Sequence, residues 1–292
     1  MTFSERSLAF GGQAVIEGVM LRSNTHKVIS LRKMDGAIVT ITEEAPSLSE
    51  KHVFFRQPFI RGTPAFIESL YIGMNSLFHS ANIALEAEDE SISSKEIGFT
   101  VVLIIMISAI FIIAPFYLVT LIPISGWLFN LFEVGIRLGL FLGFLKLISH
   151  WDEYHRILQY HGAEHKVINA YESLTPITLR EVKRCSRKHP RCGTSGVFIV
   201  LIVSFFLFSL LPQTTIWLRL AYRIALIPGI GALSYEIMRF SGKNKTSKFV
   251  NILMYPGLVL QYLTTKEPTD DMILVAINAL HALNEVMGYQ IV

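Results

Sequence analysis

Charged side chains are scarce in this chain. They make up 17% of its 292 residues, where a soluble domain carries about a quarter. The shortfall is gathered into continuous apolar runs, which points to membrane spans and not to a richer core. Cysteine is scarcer still. The two present, Cys185 and Cys192, exclude a disulfide scaffold and fit a reducing compartment. A net charge of +3 is too small to argue for a nucleic-acid partner. Residues 1–30 lack the basic start and apolar core of a signal peptide, so the N-terminus is expected on the side of synthesis.

Hydrophobic residues, by contrast, make up 51% of the chain. The run over 97–122 exceeds the roughly 20 residues a helix needs to cross hydrocarbon. A second run, over 126–148, is interrupted by Glu133 and Arg137, which at i,i+4 can partly neutralise each other. A third, "GVFIVLIVSFFLFSLLP", follows Ser195, and a fourth over 215–238 carries Arg219, Arg223 and Glu236. Only a few residues, around Pro123 and Pro212, separate the runs of each pair.

The expected fold class is therefore an α-helical integral membrane protein. Four transmembrane helices form two hairpins, beside a cytoplasmic α+β portion that includes an N-terminal β-hairpin. The expected division is a cytoplasmic region over 1–96, a first hairpin over 97–148, a cytoplasmic segment over 149–195, a second hairpin over 196–238 and a cytoplasmic C-terminal region over 239–292. Lys and Arg crowd the segment before the third run, from Arg180 to Arg191, and follow the fourth at Arg239 and Lys243. The positive-inside rule then places both termini in the cytoplasm of a multi-pass inner-membrane protein. Its expected partners are the lipid bilayer and anionic lipid headgroups, with an oligomer compatible.

"HKVISLRKMDGAIVTITEE" alternates apolar and polar residues around Asp35-Gly36, a strong hairpin signal. Before it, "FGGQAVIEGVMLRS" sets three glycines and Glu17 among apolar residues, a pattern that allows close backbone approach but is no phosphate loop. "TPAFIESLYIGMNSLFHSANIALEAEDE" predicts an amphipathic helix, with Phe66, Leu70, Met74, Leu77 and Ala81 on one stripe. Glu68, Asn75, His79 and Asn82 lie on the other, either a solvated face or the lining of a site. Residues 248–263 are apolar but short and are broken by Pro256-Gly257. They predict a re-entrant or interfacial piece, or a helix packed on the soluble part. A terminal helix ends at Gly288.

The chemistry concentrates in "YHGAEHKVINAYES". His161 and His165, at i,i+4, project from one helix face and can share a metal ion. His-x-x-Glu-His is the inverted zincin string, in which the glutamate activates water, making Glu164 the candidate catalytic base. "CSRKHPRCGTSG" brings His189 and Cys192 just before the third run, after a Thr178–Glu181 capping box. With His161 and His165, either could complete a three-ligand zinc site that keeps a fourth position open. If all four bind, the site is closed and structural. The plain alternatives are satisfied interfacial histidines and a basic loop on anionic lipid. Iron is less favoured. Five histidines (His150, His155, His161, His165, His189) fall short of the many nitrogen ligands of membrane di-iron enzymes, and no His-x-x-His-His box occurs.

"GGQAVIEGVM", "YHGAEHKVINAYE", "HPRCGTS" and "LTTKEP" together resemble an uncharacterised bacterial membrane family, domain of unknown function 1385, often labelled "predicted metal-dependent enzyme". The similarity runs from Gly11 to about Ala279. The resemblance implies bacterial inner-membrane residence and a metal, and its motifs fall on Glu17, His161, Glu164, His165, His189 and Cys192. Cys185 lies outside them, and Leu274 stands where an acid is expected. Two functions follow. One is a zinc-dependent hydrolase at the cytoplasmic face, with Glu17 and Glu68 positioning substrate. The other is a non-enzymatic scaffold or transport component with a structural His/Cys clamp, which the charges within the apolar runs support.

Overall fold

The computed structural model describes residues 10–85, 94–212, 214–244 and 247–288. Four antiparallel strands, β1 (Gly11–Val15), β2 (Gly18–Arg22), β3 (His26–Arg32) and β4 (Ile38–Glu44), run in the order β1-β2-β3-β4. The β3–β4 hairpin closes at the expected residues. Gly36 takes φ +86°, open to glycine without a Cβ penalty, and the Asp35 carboxylate accepts from Ala37 N at 2.9 Å. The β1–β2 hairpin was not anticipated. Val15 pairs with Gly18, leaving Ile16 and Glu17 as the turn, and Glu17 takes φ +52°.

Alternation along the strands serves two layers. Val19, Leu21 and Val28 pack with helices α5 (Asp152–Glu172) and α10 (Asp270–Val286), whereas Met20, Ile29 and Leu31 pack with Ile72 and Ile83 of helix α2 (Gly62–Leu85). The sheet is thus covered on both faces. Helix α2 meets the sheet through Ile72 and Ile83, a face that shares only Ala81 with the expected stripe among its buried residues. Phe66 and Leu70 are more than half exposed, while Glu68 meets Arg22 of β2 at 2.5 Å and Asn75 accepts from Lys27 of β3 at 2.8 Å. Asn75 and Glu43 together pair the buried Lys27 ammonium, which would otherwise be costly to bury. The expected continuation of this helix over 86–90 lies outside the described residues.

The remaining helices are α1 (Leu48–Lys51), α3 (Ser94–Thr120), α4 (Gly126–Ile148), α6 (Leu179–Arg184), α7 (Gly193–Ser209), α8 (Ile216–Lys243) and α9 (Lys248–Thr264). α3 and α4 lie against each other, with Phe116 and Phe129 rings 5.7 Å apart. α7, α8 and α9 share a core of Ile199, Val203, Phe208, Ile230, Val250 and Met254. Within α4, buried Glu133 receives Arg137 at 2.9 Å and Arg223 of α8 at 2.8 Å, and Asn130 also accepts from Arg223 at 2.7 Å. Arg223 is further enclosed by the Phe116 and Phe208 rings.

Four transmembrane helices were expected, and this is corrected. Among the described residues, two helices are long and apolar enough to cross a membrane: Gly98–Thr120 and Ile216–Lys243. α7 has only 17 residues, and α4 is broken chemically by Asn130, Glu133, Arg137 and Lys146. The apolar window of Gly98–Thr120 is only 11% buried, so its surface needs an apolar solvent. Trp127, Trp151 and Trp217 all stand exposed at helix ends, as aromatic residues do at a membrane interface. These features associate the chain with a membrane. Nor does Pro256-Gly257 break the 248–263 segment. α9 continues through it, and Gly257 lets it pass close to α7, where a Cβ would come within 2.8 Å of Ser195 Cα. Helix-to-helix closeness there outweighs the one hydrogen bond that proline removes.

Candidate metal centre

Helix α5 starts afresh after a turn at 149–151, and its second half is buried between the sheet and α10. That burial fixes the faces of its polar residues. His161 and His165 stack with ring centroids 4.4 Å apart. The His161 Nδ1 is 2.7 Å from the Thr264 carbonyl at the end of α9, and the His165 Nδ1 is 2.6 Å from the Arg187 carbonyl. A backbone carbonyl only accepts, so each Nδ1 carries the proton and each Nε2 presents a lone pair. The Cys192 Sγ lies 3.3 Å from His161 Nε2, and His165 Nε2 lies 3.5 Å from Glu164 Oε2. Ligand atoms of His161, His165 and Cys192 all lie within 4.8 Å of one another.

The segment from Cys185 to Cys192 is held onto α5 by side chains one turn further along. Lys166 Nζ donates to the Lys183 and Cys185 carbonyls at 2.7 and 2.9 Å, and Asn169 Nδ2 to those of Ser186 and Lys188 at 2.7 and 3.0 Å. Cys192 is the N-cap residue of α7. His189 and Cys192 had been interchangeable as third ligand, and the geometry separates them. The His189 ring lies 5.9 Å from that of His165, its Nε2 is 3.1 Å from Glu172 Oε2, and burial lowers its pKa to about 4. Glu172 is also held by Arg191. His189 is therefore neutral and engaged elsewhere. Its backbone N–H and carbonyl are both taken by Gln261, whose amide also donates to Ser195 Oγ at 2.9 Å.

Glu164 is buried beside the trio, its Oε2 3.5 Å from His165 Nε2. Burial pushes its carboxyl up to about 7, against the pull of His161 and Arg191. The space it occupies exists because residue 12 is a glycine: a Cβ there would collide with the Glu164 carboxylate. The other two candidate acids lie apart from the trio. Glu17 pairs with Arg156 (Nε to Oε1, 2.6 Å) and takes Tyr160 OH at 3.3 Å, while Glu68 is spent on Arg22 and the Leu48 N–H. Cys185 is half-buried, its Sγ turned to the Glu181 carbonyl.

Gly12, Asn169, Glu172, Gln261 and Thr264 were not singled out as site residues. A signal did exist. Positions 161, 165, 169 and 172 share one stripe of α5, so Asn169 and Glu172 could have been placed beside the histidines. The Thr264 carbonyl had no comparable sign. The donor set itself suits a metal. Two imidazole nitrogens and one sulfur are ligands of zinc, and three of them leave a fourth position open. Backbone acceptors behind both histidines are the outer support such ligands need.

A family model described as "Protein of unknown function (DUF1385)" matches residues 57–286. The chain is also similar to "Uncharacterized protein YqhQ" of Bacillus subtilis (strain 168), at 36% identity over 94% of this chain and 92% of that protein. No solved structure matches.

Proposed function

This chain belongs to the DUF1385 family, and from its own site we propose that it is a zinc-dependent hydrolase. We propose further that it works at the cytoplasmic face of a bacterial inner membrane. His161, His165 and Cys192 would hold the ion, and Glu164 would take the proton from the attacking water. When bound, zinc supplies Lewis-acid polarisation and makes water nucleophilic at neutral pH. The observation that carries this reading is the pair of Nδ1 atoms tied to the Thr264 and Arg187 carbonyls, which leaves both Nε2 lone pairs for a metal within reach of the Cys192 thiol. His161 is the ligand that stays partly exposed, so substrate would arrive from its side. The basic stretch from Arg180 to Arg191, close to this face, supports the cytoplasmic placement.

A second reading has its own support. Two ligands ride on α5 of the sheet-bearing body, and the third caps α7 of the helical bundle, so an ion there would also pin the two together as a structural clamp. One set of measurements separates the readings. Purified wild type should hold about one zinc per chain, and His161→Ala/His165→Ala should hold none. Glu164→Gln should keep the zinc and lose turnover in a screen of carboxylester, amide and phosphoester substrates. Absence of metal from unchelated wild type would sink both readings. Turnover retained by Glu164→Gln would remove Glu164 as the base. A chelator that melts the fold, with no turnover in any preparation, would leave the clamp.

A further inference from the structure

One large cavity, of 520 Å³, has Arg191, the chain neighbour of Cys192, on its wall. That volume suits a small-molecule ligand, for which roughly 300–1,000 Å³ is usual. It lies between the β1–β2 end of the sheet, the segment after α1, the start of α2 and the last turns of α8. Its charged wall is one-sided: Arg22, Arg56, Arg61, Arg191 and Arg239 against the single acid Glu68. Some of these guanidiniums are already held by carboxylates. Arg22 meets Glu68, Arg61 makes a two-pronged pair with Glu236 at 2.7 and 2.6 Å, and Arg191 meets Glu172. Such anchoring fixes their forks in place and leaves other N–H groups to serve a ligand. Arg239, near the end of α8, is partly exposed.

Fixed arginine forks around a cavity of this size recognise phosphate, because planar guanidinium matches phosphate oxygens two at a time. The surroundings indicate what carries the phosphate. Arg239 lies at the end of a helix long and apolar enough to cross a membrane. Phe55 is on the wall, and Phe54, Phe59 and Phe66 project nearby with more than half of their surface exposed. A guanidinium-lined wall therefore sits beside an apolar rim, close to the end of a helix long and apolar enough to cross a membrane.

The cavity comes near the candidate metal centre at one point of the chain: Arg191 is on the wall, and the next residue, Cys192, is a proposed ligand. At β1 the two lie on opposite faces of the strand, with Gly11 on the cavity wall and Gly12 against Glu164. We infer that the cavity is a phosphate-binding site that takes the phosphate-bearing headgroup of a membrane amphiphile and presents it beside the metal centre. As a statement about substrate it rests on the hydrolase reading; as a binding site it does not.

The test uses the full chain in detergent micelles, with dioctanoyl phosphatidic acid, dioctanoylglycerol and glycerol 3-phosphate as probes in titration calorimetry. Dioctanoyl phosphatidic acid should bind, more weakly as KCl is raised. Arg239→Gln should weaken it about tenfold, the effect of losing one charge-assisted hydrogen bond, with metal content unchanged. Tight binding of the lipid but not of glycerol 3-phosphate assigns the ligand to a lipid. Equal binding of the two keeps the phosphate site but assigns it to a soluble phosphate ester. Dioctanoylglycerol binding as well as phosphatidic acid, or Arg239→Gln binding like wild type, overturns the inference. Should that variant not fold, salt-independent binding by wild type overturns it equally. The two readings fail separately. Wild type with zinc but no phosphatidic acid binding loses the cavity and keeps the hydrolase. Phosphatidic acid binding by a chain without zinc does the reverse.

Discussion

At the scale of single residues, the site depends on an atom that is missing. Gly12 has no Cβ, and the Glu164 carboxylate fills the space one would take. Glu164 cannot retreat, because it sits at 6% exposure with α5 packed against β1 and β2 behind it. Gly12→Ala should therefore cost about 1–3 kcal/mol of stability, the usual penalty of overpacking. It should also displace the carboxylate from the histidines. Thermal unfolding in detergent measures the first effect and loss of turnover the second; an unchanged midpoint would mean that β1 gives way. The glycines of "FGGQAVIEGVMLRS" announced a close backbone approach. They did not say what approaches, since the partner lies over 150 residues away.

At the scale of elements, α5 is placed by what it touches on three sides. On one of these a Cβ at Gly162 would collide with the Lys266 carbonyl, in the segment that follows Thr264. The same Thr264 carbonyl orients His161. Gly162→Ala should push the 264–268 segment off α5 and release that imidazole, weakening metal binding by about 10–100-fold, as losses of outer support do. Competition with a chromophoric chelator reads the change. The helical identity of α5 and the facing of His161 and His165 were legible from spacing alone. The position of His189 away from the other two imidazoles was not, because it turns on Glu172 and Gln261 holding His189 aside. Helix α2 was legible as a helix but not in its facing. The rule for a water-facing helix turns its stripe of Phe66 and Leu70 inward, whereas the contacts with the sheet are made by Ile72, Ile83, Glu68 and Asn75.

At the scale of the whole molecule, the buried charges stand at the end of the bundle where α3 turns into α4 and α7 into α8. Glu133 is fully buried between Arg137 and Arg223, so it joins α4 to α8 across the bundle. Removing one partner of a buried pair strands the other charge, at a cost of about 3–5 kcal/mol. Glu133→Ala should lower the thermal midpoint accordingly while leaving zinc content intact, since the metal centre lies beyond the other end of these helices. Loss of zinc from that variant would show the two ends to be coupled. Here the sequence misled by its own rule. Length and mean hydropathy of a run do not make it a span: α7 has only 17 residues, and α4 carries Asn130, Glu133, Arg137 and Lys146 along its length.

The division of the three proposed ligands between α5 and the start of α7 has a kinetic meaning. Neither the sheet-bearing body nor the helical bundle holds all three alone, so the proposed ion site would come into being only when the two have docked. Cobalt bound to a thiolate and two imidazoles would colour the protein at that moment. Added during refolding into micelles, it would serve as a clock for assembly, with the Cys192→Ser variant as its dark control.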